Sequence, residues 1–410
     1  MTTTLLDTVQ EPGILEAPPR VDGLRILDIT IFYAPVSGGV RTYLDTKAEF
    51  FRNSHLRHSM VVPGPRWDWH AMGRTMVHRV PGIPIPFTPG YRLMRSARIL
   101  ERVLHEERPH VIEVGSPFVV PLLLRRATRG RSVPTLGFYH ADLVRTYVEP
   151  YVRGLPTGAQ EGFRRLARGL VRSVYSRFQV TVAASAAVAR ELEELGLENV
   201  ERVPLGVDLE AFHPSHRDPD LRQRLGIPPG RPMALFAGRL CPEKGLDVVV
   251  GAHGSMDPGA RPHLLFVGEG PSAPGLREVA EGREDVTVLP VISSKKELAR
   301  VYASSDFYLA AGPGETFGLA VAEAMASGLP LVGVDSGAVV DRVKDSGAGE
   351  LYGRNDADSC ARAMKRMMKA PRADLSRRAR AYAEDEMGWS RTFQHLTTLY
   401  EELATRGAGR

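Results

Sequence analysis

The sequence predicts an α/β protein built of two doubly wound domains that face each other across a cleft. Its 410 residues are too many for one ordinary hydrophobic core and suit two domains of roughly 200 residues each. Short apolar and β-branched runs alternate with helical patterns through both halves, an order that gives parallel sheets with helices on both faces. The two alternating sets are joined across residues 212–232, rich in Pro, Gly and Arg, so the break falls there.

Residues 1–23 mix Thr, Glu, Asp and Pro with neither a basic start nor an apolar stretch; they do not resemble a signal peptide and are expected to form a loose tail. Residues 25–31 (RILDITI) form a β-branched run that ends before a turn signal at 34–39, and a helical pattern follows from Val40. This is a strand–loop–helix opening. Residues 111–114, 135–139 and 179–183 read as further buried strands, each followed by a helical stretch. In the second half the strands are 233–236, 264–267, 286–289, 307–310 and 331–334. Residues 389–405 predict a terminal helix with Leu396, Leu399, Tyr400 and Leu403 on one face. The expected divisions are a tail at 1–23, a first domain at 24–207, a linker at 208–232, a second domain at 233–388, and a helix at 389–410 that packs back toward the first domain.

With 43% hydrophobic and 25% charged residues, the composition is that of a soluble globular protein. No apolar run approaches the roughly 20 residues that span a bilayer. Cys241 and Cys360, the two cysteines, lie far apart without metal-ligand spacing, which fits a reducing cytosol. The net charge of +5 conceals an asymmetry. Residues 1–205 hold 27 Arg and Lys against 20 Asp and Glu, and from Arg52 to Arg177 the ratio is 21 to 8, every basic residue there being Arg. Such a field favours a phospholipid surface, a phosphorylated acceptor or nucleic acid, unless it is simply an Arg-rich solvated surface.

The most informative segment is GPGETFGLAVAEAMASGLP, residues 312–330. It follows a strand, opens with glycines and runs into good helix formers. Gly318 and Leu319 fall at the first helical turn, where unpaired amides and the positive helix end favour a diphosphate. Glu315 lies in the loop beside that spot. Glu323 is eight residues on, a little over two turns and about 80° around the helix, so one carboxylate can meet a sugar while the other reaches a ribose. In FAGRLCPEKG (236–245), Arg239 and Lys244 stand in a Gly-flanked loop after another strand. Two cations there stabilise the charge that builds on a departing nucleoside diphosphate, with no metal needed.

Together these stretches resemble the retaining glycosyltransferase family 4, which has the GT-B fold of two Rossmann-like domains. The Glu-x7-Glu spacing in 314–323 looks like that family's donor signature, and GGVRTYL (38–44), VPLGVDLEAFHP (203–214), FAGRLCPEKGLD (236–247) and FVGEGP (266–271) recur in its order. The resemblance implies transfer of a hexose from a UDP- or GDP-sugar, with residues 24–207 on the acceptor side and 233–388 binding the nucleotide sugar. It implies that Arg239 and Lys244 bind the diphosphate, Glu315 the transferred sugar and Glu323 the ribose. Thr316, Phe317, Gly318 and Leu319 complete the donor loop, and Gly38 and Gly39 let a loop of the first domain approach the phosphates. His140, in GFYHAD, matches the active-site histidine that faces the sugar, so His140, Glu315, Arg239 and Lys244 make up the implied catalytic set. The chain departs from the family at Leu205-Gly206-Val207-Asp208, where Asn-Gly-Val-Asp is frequent, and at residues 336–341, where Gly-Gly-x-Pro-Glu is frequent. Retention follows from the resemblance alone. Spacing identifies no nucleophile, so a same-face reaction assisted by the leaving phosphate is expected.

Two features bear on the acceptor. Residues 163, 166, 167, 170, 171, 174, 175 and 178 form one apolar helix face, with Arg164, Arg165, Arg168, Arg172 and Arg177 filling the remainder. Such a face either is core or lies on an anionic membrane. The segment YHADLVRTY (139–147) is similar to that of family members that glycosylate diacylglycerol or phosphatidylinositol-type lipids. The expected acceptor is a lipid or lipid-linked glycan at the inner face of the cytoplasmic membrane, with a soluble acceptor as the alternative. The expected location is the cytoplasm, peripheral to that membrane.

Other readings fit less well. A nucleotide-sugar epimerase would need its own acid–base constellation, and a phosphorylase a cofactor lysine in a longer chain. A dehydrogenase would need GxGxxG, which Gly312-x-Gly314-x-x-x-Gly318 misses. No helix-turn-helix, finger or RNA-binding aromatic signature accompanies the arginines, so nucleic acid is not an expected partner. Asp356-Ala-Asp358 mimics a metal motif but precedes a helical pattern, where it reads as a cap. No cofactor or required metal is expected.

Overall fold

The computed structural model describes residues 23–34, 38–85, 90–117, 119–129, 132–152 and 154–408. Residues 1–22 of the tail expected at 1–23, the middle of the turn at 34–39 and the last two residues lie outside these. The first sheet contains β1 (Arg25–Ile29), β2 (Arg57–Gly64), β3 (Asp68–Met72), β4 (Thr75–Pro84), β5 (Arg92–Met94), β6 (Val111–Val114), β7 (Thr135–Phe138), β8 (Val180–Ala183) and β9 (Val200–Arg202). Its order is β3-β4-β2-β1-β6-β7-β8-β9, with β5 on β4. Only β3 and β5 run antiparallel to their neighbour. The second sheet contains β10 (Met233–Ala237), β11 (His263–Val267), β12 (Val286–Leu289), β13 (Phe307–Ala310), β14 (Leu331–Val334) and β15 (Gly349–Tyr352), in the order β12-β11-β10-β13-β14-β15, all parallel.

Helices cover both sheets. Those of the first half are α1 (Gly39–Phe51), α2 (Ala97–Glu107), α3 (Val120–Ala127), α4 (Leu143–Tyr147), α5 (Glu149–Val152), α6 (Thr157–Tyr175) and α7 (Ala186–Glu194). Then come α8 (Leu221–Arg224), α9 (Leu246–Gly254), α10 (Ala273–Glu281), α11 (Lys295–Ser304) and α12 (Leu319–Ala326). The chain finishes with α13 (Ala338–Ser346), α14 (Ala357–Lys369), α15 (Arg372–Glu386) and α16 (Trp389–Ala408). Every residue of β10, β13 and β14 is buried, as strands covered on both faces must be. The fold class read from the sequence, two doubly wound α/β domains, is the one the chain has.

The differences from the sequence reading have physical causes. Strand ends shift by one or two residues, the usual fraying: the 25–31 run stops pairing as a strand at Ile29 and the 135–139 run at Phe138. The 163–178 pattern is not one buried face. Ala167, Val171, Tyr175 and Phe178 enter the core, but Phe163 (49% exposed), Leu166 (72%) and Leu170 (47%) face outward. The apolar arc is wider than the strip that the sheet can cover, and its leading edge lies in solvent. Residues 208–232 pack on the second domain: Phe212 meets the Tyr302 ring edge-on at 5.6 Å, and Leu221 and Ile227 are buried.

The chain passes between domains near 207 and again near 388. There the Val207 amide donates to the Met387 carbonyl at 2.8 Å, and Val207 bridges Gly388. A Cβ on Gly206 would lie 2.5 Å from the Trp389 Cα, so only glycine fits that crossing. Beyond it α16 packs on α1 and β6 of the first domain, with Phe393, Leu396, Tyr400 and Leu403 buried; Leu399 is only partly so.

Candidate active site

The loops after β1, β7, β10 and β13 meet around a cavity of about 380 Å³ between the domains, within the range of small-molecule sites. It is lined by Gly38, Gly39 and His140 from one side and by Arg239, Lys244, Glu315, Thr316, Phe317, Gly318, Leu319 and Glu323 from the other. Folding thus brings together all the residues singled out from the sequence. The α12 helix starts at Leu319 after Gly318, whose φ of +70° is the left-handed conformation that favours glycine. The amides of Val321 and Ala322 donate to the Gly318 carbonyl; Leu319 and Ala320, whose amides precede the first helical bond, line the cavity.

The charged residues are arranged in pairs. The Lys244 ammonium holds Glu315. Burial works against charging Lys244, yet the Glu315 carboxylate outweighs it and raises the lysine pKa. Arg239 pairs with Glu243 at 3.2 Å and stays 59% exposed. Glu323 accepts from the Tyr302 hydroxyl at 3.1 Å. Burial pushes its pKa up to about 7, against the opposing pull of Tyr302 and Lys295.

The segment at 336–341, a departure from the family pattern, clamps this loop. Ser336 Oγ donates to the Pro313 carbonyl at 2.8 Å, and the Ala338 amide donates to the Glu315 carbonyl at 2.9 Å. Between them Gly337 has φ +59°, and a Cβ there would stand 2.6 Å from the Glu315 carbonyl oxygen. Arg342 lies 4.2 Å over the Phe317 ring and donates to the Gly318 carbonyl at 3.3 Å. The Phe317 side chain is therefore engaged by protein. Asp341 reaches across the interface to accept from the Ala187 amide at 2.6 Å and from Arg190 at 3.0 Å.

On the other wall, His140 stacks on Phe138 with centroids 4.0 Å apart and planes within 5°, and leans on Tyr43 at 5.2 Å. Loss of solvent lowers its pKa to about 3, with Asp28 opposing and Lys47 adding to the shift. Burial thus favours the neutral ring, which has one nitrogen to donate a hydrogen bond and one to accept. Its carbonyl accepts from Thr316 Oγ1 at 2.7 Å, a direct tie between domains. A Cβ on Gly38 or Gly39 would meet no protein atom within 4 Å, so the space in front of them is the cavity itself.

Sequence reasoning missed Tyr302 and Asp341 as partners of the site, because neither lies near its contact in the chain. Asp356 caps α14 by accepting from the Ser359 amide at 2.8 Å. Among the described residues, no group of three or more His, Cys, Asp or Glu side chains is placed to hold a metal ion, and no helix is long and apolar enough to cross a membrane. Both cysteines are buried and unpaired.

Residues 217–386 match the family described as Glycosyl transferases group 1, and residues 37–211 match Glycosyltransferase Family 4. The chain is 33% identical over 391 residues to the GDP-mannose-dependent alpha-(1-6)-phosphatidylinositol dimannoside mannosyltransferase of Mycobacterium tuberculosis, covering 94% of this chain and 96% of that one. It is 27% identical over 333 residues to a GDP-mannose-dependent alpha-mannosyltransferase of Corynebacterium glutamicum, covering 80% and 76% respectively. Among solved structures, sucrose-phosphate synthase from Thermosynechococcus elongatus superposes with a TM-score of 0.75 at 18% identity, over 93% of this chain and 100% of that one; this is a likeness of fold.

Proposed function

The chain belongs to glycosyltransferase family 4 and is a glycosyltransferase with the GT-B fold, and from that premise we propose that it moves mannose from GDP-mannose to a phosphatidylinositol-type glycolipid, with retention and without a metal. The observation that carries this reading is the alignment through both domains to a relative named for that donor and for a phosphatidylinositol dimannoside. In it Arg239, Lys244 and the first amides of α12 hold the diphosphate, Glu323 the ribose, and Glu315 and His140 the sugar. Each carboxylate lining the cavity already has a partner: Glu243 has Arg239, Glu315 has Lys244, Glu323 has Tyr302. That supports a same-face reaction, in which the acceptor hydroxyl attacks the anomeric carbon as its bond to the diphosphate breaks and a diphosphate oxygen takes the proton. A trapped glycosyl-enzyme would sink this mechanism. A thermal-shift comparison tests the donor: GDP and GDP-mannose should raise Tm more than UDP, ADP or their sugars, and a larger shift with UDP overturns the choice of base.

The Glu323 carboxylate makes donor binding depend on pH. A ribose hydroxyl donates to the ionised form, so binding favours loss of the proton that burial retains up to about pH 7. GDP-mannose affinity is therefore expected to weaken roughly tenfold per pH unit once the pH falls below that value. Calorimetry in buffers of different ionisation enthalpy should find about half a proton released per donor bound at pH 7, and Glu323→Gln should abolish both effects. An affinity that does not change with pH rejects the ribose role.

The outward edge of α6 supports a lipid acceptor. Phe163, Leu166 and Leu170 form it, and Arg165 and Arg168 are exposed further round the same helix beside Glu161, an amphipathic combination that suits an anionic bilayer. The α6 helix packs on α4 and α5, and Tyr147 at the end of α4 lines the cavity. A lipid could then keep its tails in the bilayer while its headgroup enters the cleft. Vesicles containing phosphatidylinositol should float the protein in a salt-sensitive way. The Leu166→Glu/Leu170→Glu variant should float several-fold less with unchanged GDP binding. Equal flotation of both proteins removes α6 from the docking face.

A further inference from the structure

We propose that the second domain carries a separate binding site for a phosphate or pyrophosphate group, at the edge of its sheet opposite the cleft, where Arg217, Arg222, Arg231 and Arg372 surround one recess. The site lies at the amino ends of β10, β13 and β14, while Arg239, Lys244 and Glu315 follow the carboxyl ends of β10 and β13. The five residues of β10 alone span about 16 Å. The recess measures about 340 Å³ and has an apolar wall of Phe307, Pro330, Met367 and Met368.

Its charge is unbalanced. Four guanidinium groups line it and Asp306 is the one carboxylate among the lining residues. That aspartate is already shared by Arg222 and Arg372 and also accepts from the Met233 amide at 2.6 Å. Arg231 reaches Asp285 at 3.9 Å, which Arg261 also holds, and donates to the Pro258 carbonyl at 3.3 Å. Arg217 is exposed and forms no ion pair among the described residues. The Arg222 Nε is buried without an acceptor. Burial lowers the Arg372 pKa to about 10, and repulsion from the nearby Arg217 and Arg222 adds to the shift. An anion with several oxygens removes that repulsion and satisfies guanidinium forks in pairs, the geometry for which arginine suits phosphoryl groups. Nothing in the proposed transfer reaction uses these side chains. They come largely from the Arg-rich segment at 212–232, which anchors on the second domain and delivers Arg217, Arg222 and Arg231 to the recess.

Calorimetry with inorganic pyrophosphate tests the site. The full chain carrying Lys244→Ala, with its cleft weakened, is expected still to bind one equivalent. Adding Arg217→Ala and Arg372→Ala should weaken that binding at least tenfold, while the same two changes in the otherwise native chain leave GDP affinity within twofold. Arg217→Ala alone, on an exposed side chain, should cost about threefold and guards against misfolding as the explanation. No binding by the Lys244→Ala chain, or binding that survives the added substitutions, overturns the proposal. Competition by phosphatidylinositol vesicles would assign the site to a lipid headgroup; its absence would assign it to a free phosphorylated compound.

Discussion

In Lys244→Ala, turnover is expected to fall about 10²–10³-fold, the usual loss when one preorganised partner of a developing oxyanion is removed. The structure adds a second penalty. Lys244 shares its ammonium with Glu315, so its removal leaves a bare carboxylate beside the incoming diphosphate. Two like charges about 6 Å apart repel by roughly 3 kcal/mol at an effective dielectric of 20, and partial solvent screening reduces this. GDP affinity should therefore fall by about one to two orders of magnitude. Glu315→Ala creates no such repulsion; it should depress turnover more than GDP affinity, because it removes a contact to the sugar and frees the lysine. The double variant is the decisive protein. It should bind GDP more tightly than Lys244→Ala alone, since the stranded carboxylate is gone, yet stay as slow. Four proteins, steady-state kinetics and GDP calorimetry suffice. If the double variant binds GDP no better than Lys244→Ala, the pair is not what couples these residues.

The second large effect is on stability. Lys47 is fully buried and bonds Asp28 at 2.8 Å and Glu113 at 3.1 Å. His58 joins Asp28, and the hydroxyls of Tyr43 and Tyr400 donate to Glu113. Lys47→Met should cost about 3–5 kcal/mol, the range for breaking a buried ion pair by removing one partner. Changing Asp28 and Glu113 to their amides as well should recover most of it, as a neutral interior does. The pH dependence identifies the cause. Burial alone would raise the Asp28 pKa, but Lys47 and His58 hold it below its usual value, so it contributes stability that is lost only as pH falls toward that lowered value. Glu113 is pushed up to about 7 by burial and by Asp28; its contribution is fully present below its unfolded pKa and is lost as pH rises through about 7. Without Lys47 both carboxyls prefer the proton. The variant should therefore regain stability on acidification, and its deficit against the native chain should shrink between pH 7 and about 4. Urea titrations across that window measure it, and a deficit that does not change with pH points to lost packing instead.

The strands legible in the sequence were short runs dominated by apolar and β-branched residues; β6, β12, β13 and β14 have the expected bounds. The β2 strand escaped because it opens with the polar Arg57-His58-Ser59 and not with an apolar run. In the fold His58 and Ser59 are buried, with Asp28 and Glu107 as partners. The β3–β4 hairpin is half exposed, and β15 opens with Gly-Glu and is only partly buried, so neither has the pattern of a core strand. The donor-side residues were legible because they crowd into two short loops with glycines at fixed places. Their pairing was not, since Lys244 and Glu315 are 71 residues apart. Nor could periodicity show whether the apolar arc of α6 had a neighbour to cover it. That depends on how many side chains the sheet beneath can accept.

The return of α16 to the first domain has a consequence for how the molecule is made. Phe393 packs against Phe50 and Tyr43, with ring centroids 5.1 and 5.9 Å away, so the first domain to leave a ribosome is the last to be finished. The intervening stretch of roughly 200 residues takes about 10–40 s to synthesise. During that interval Tyr43 and Phe50 lack their cover, and Glu113 lacks one hydroxyl. A fragment cut at residue 207 would keep that bare surface permanently, whereas one supplied with residues 389–408 as a separate peptide could close it.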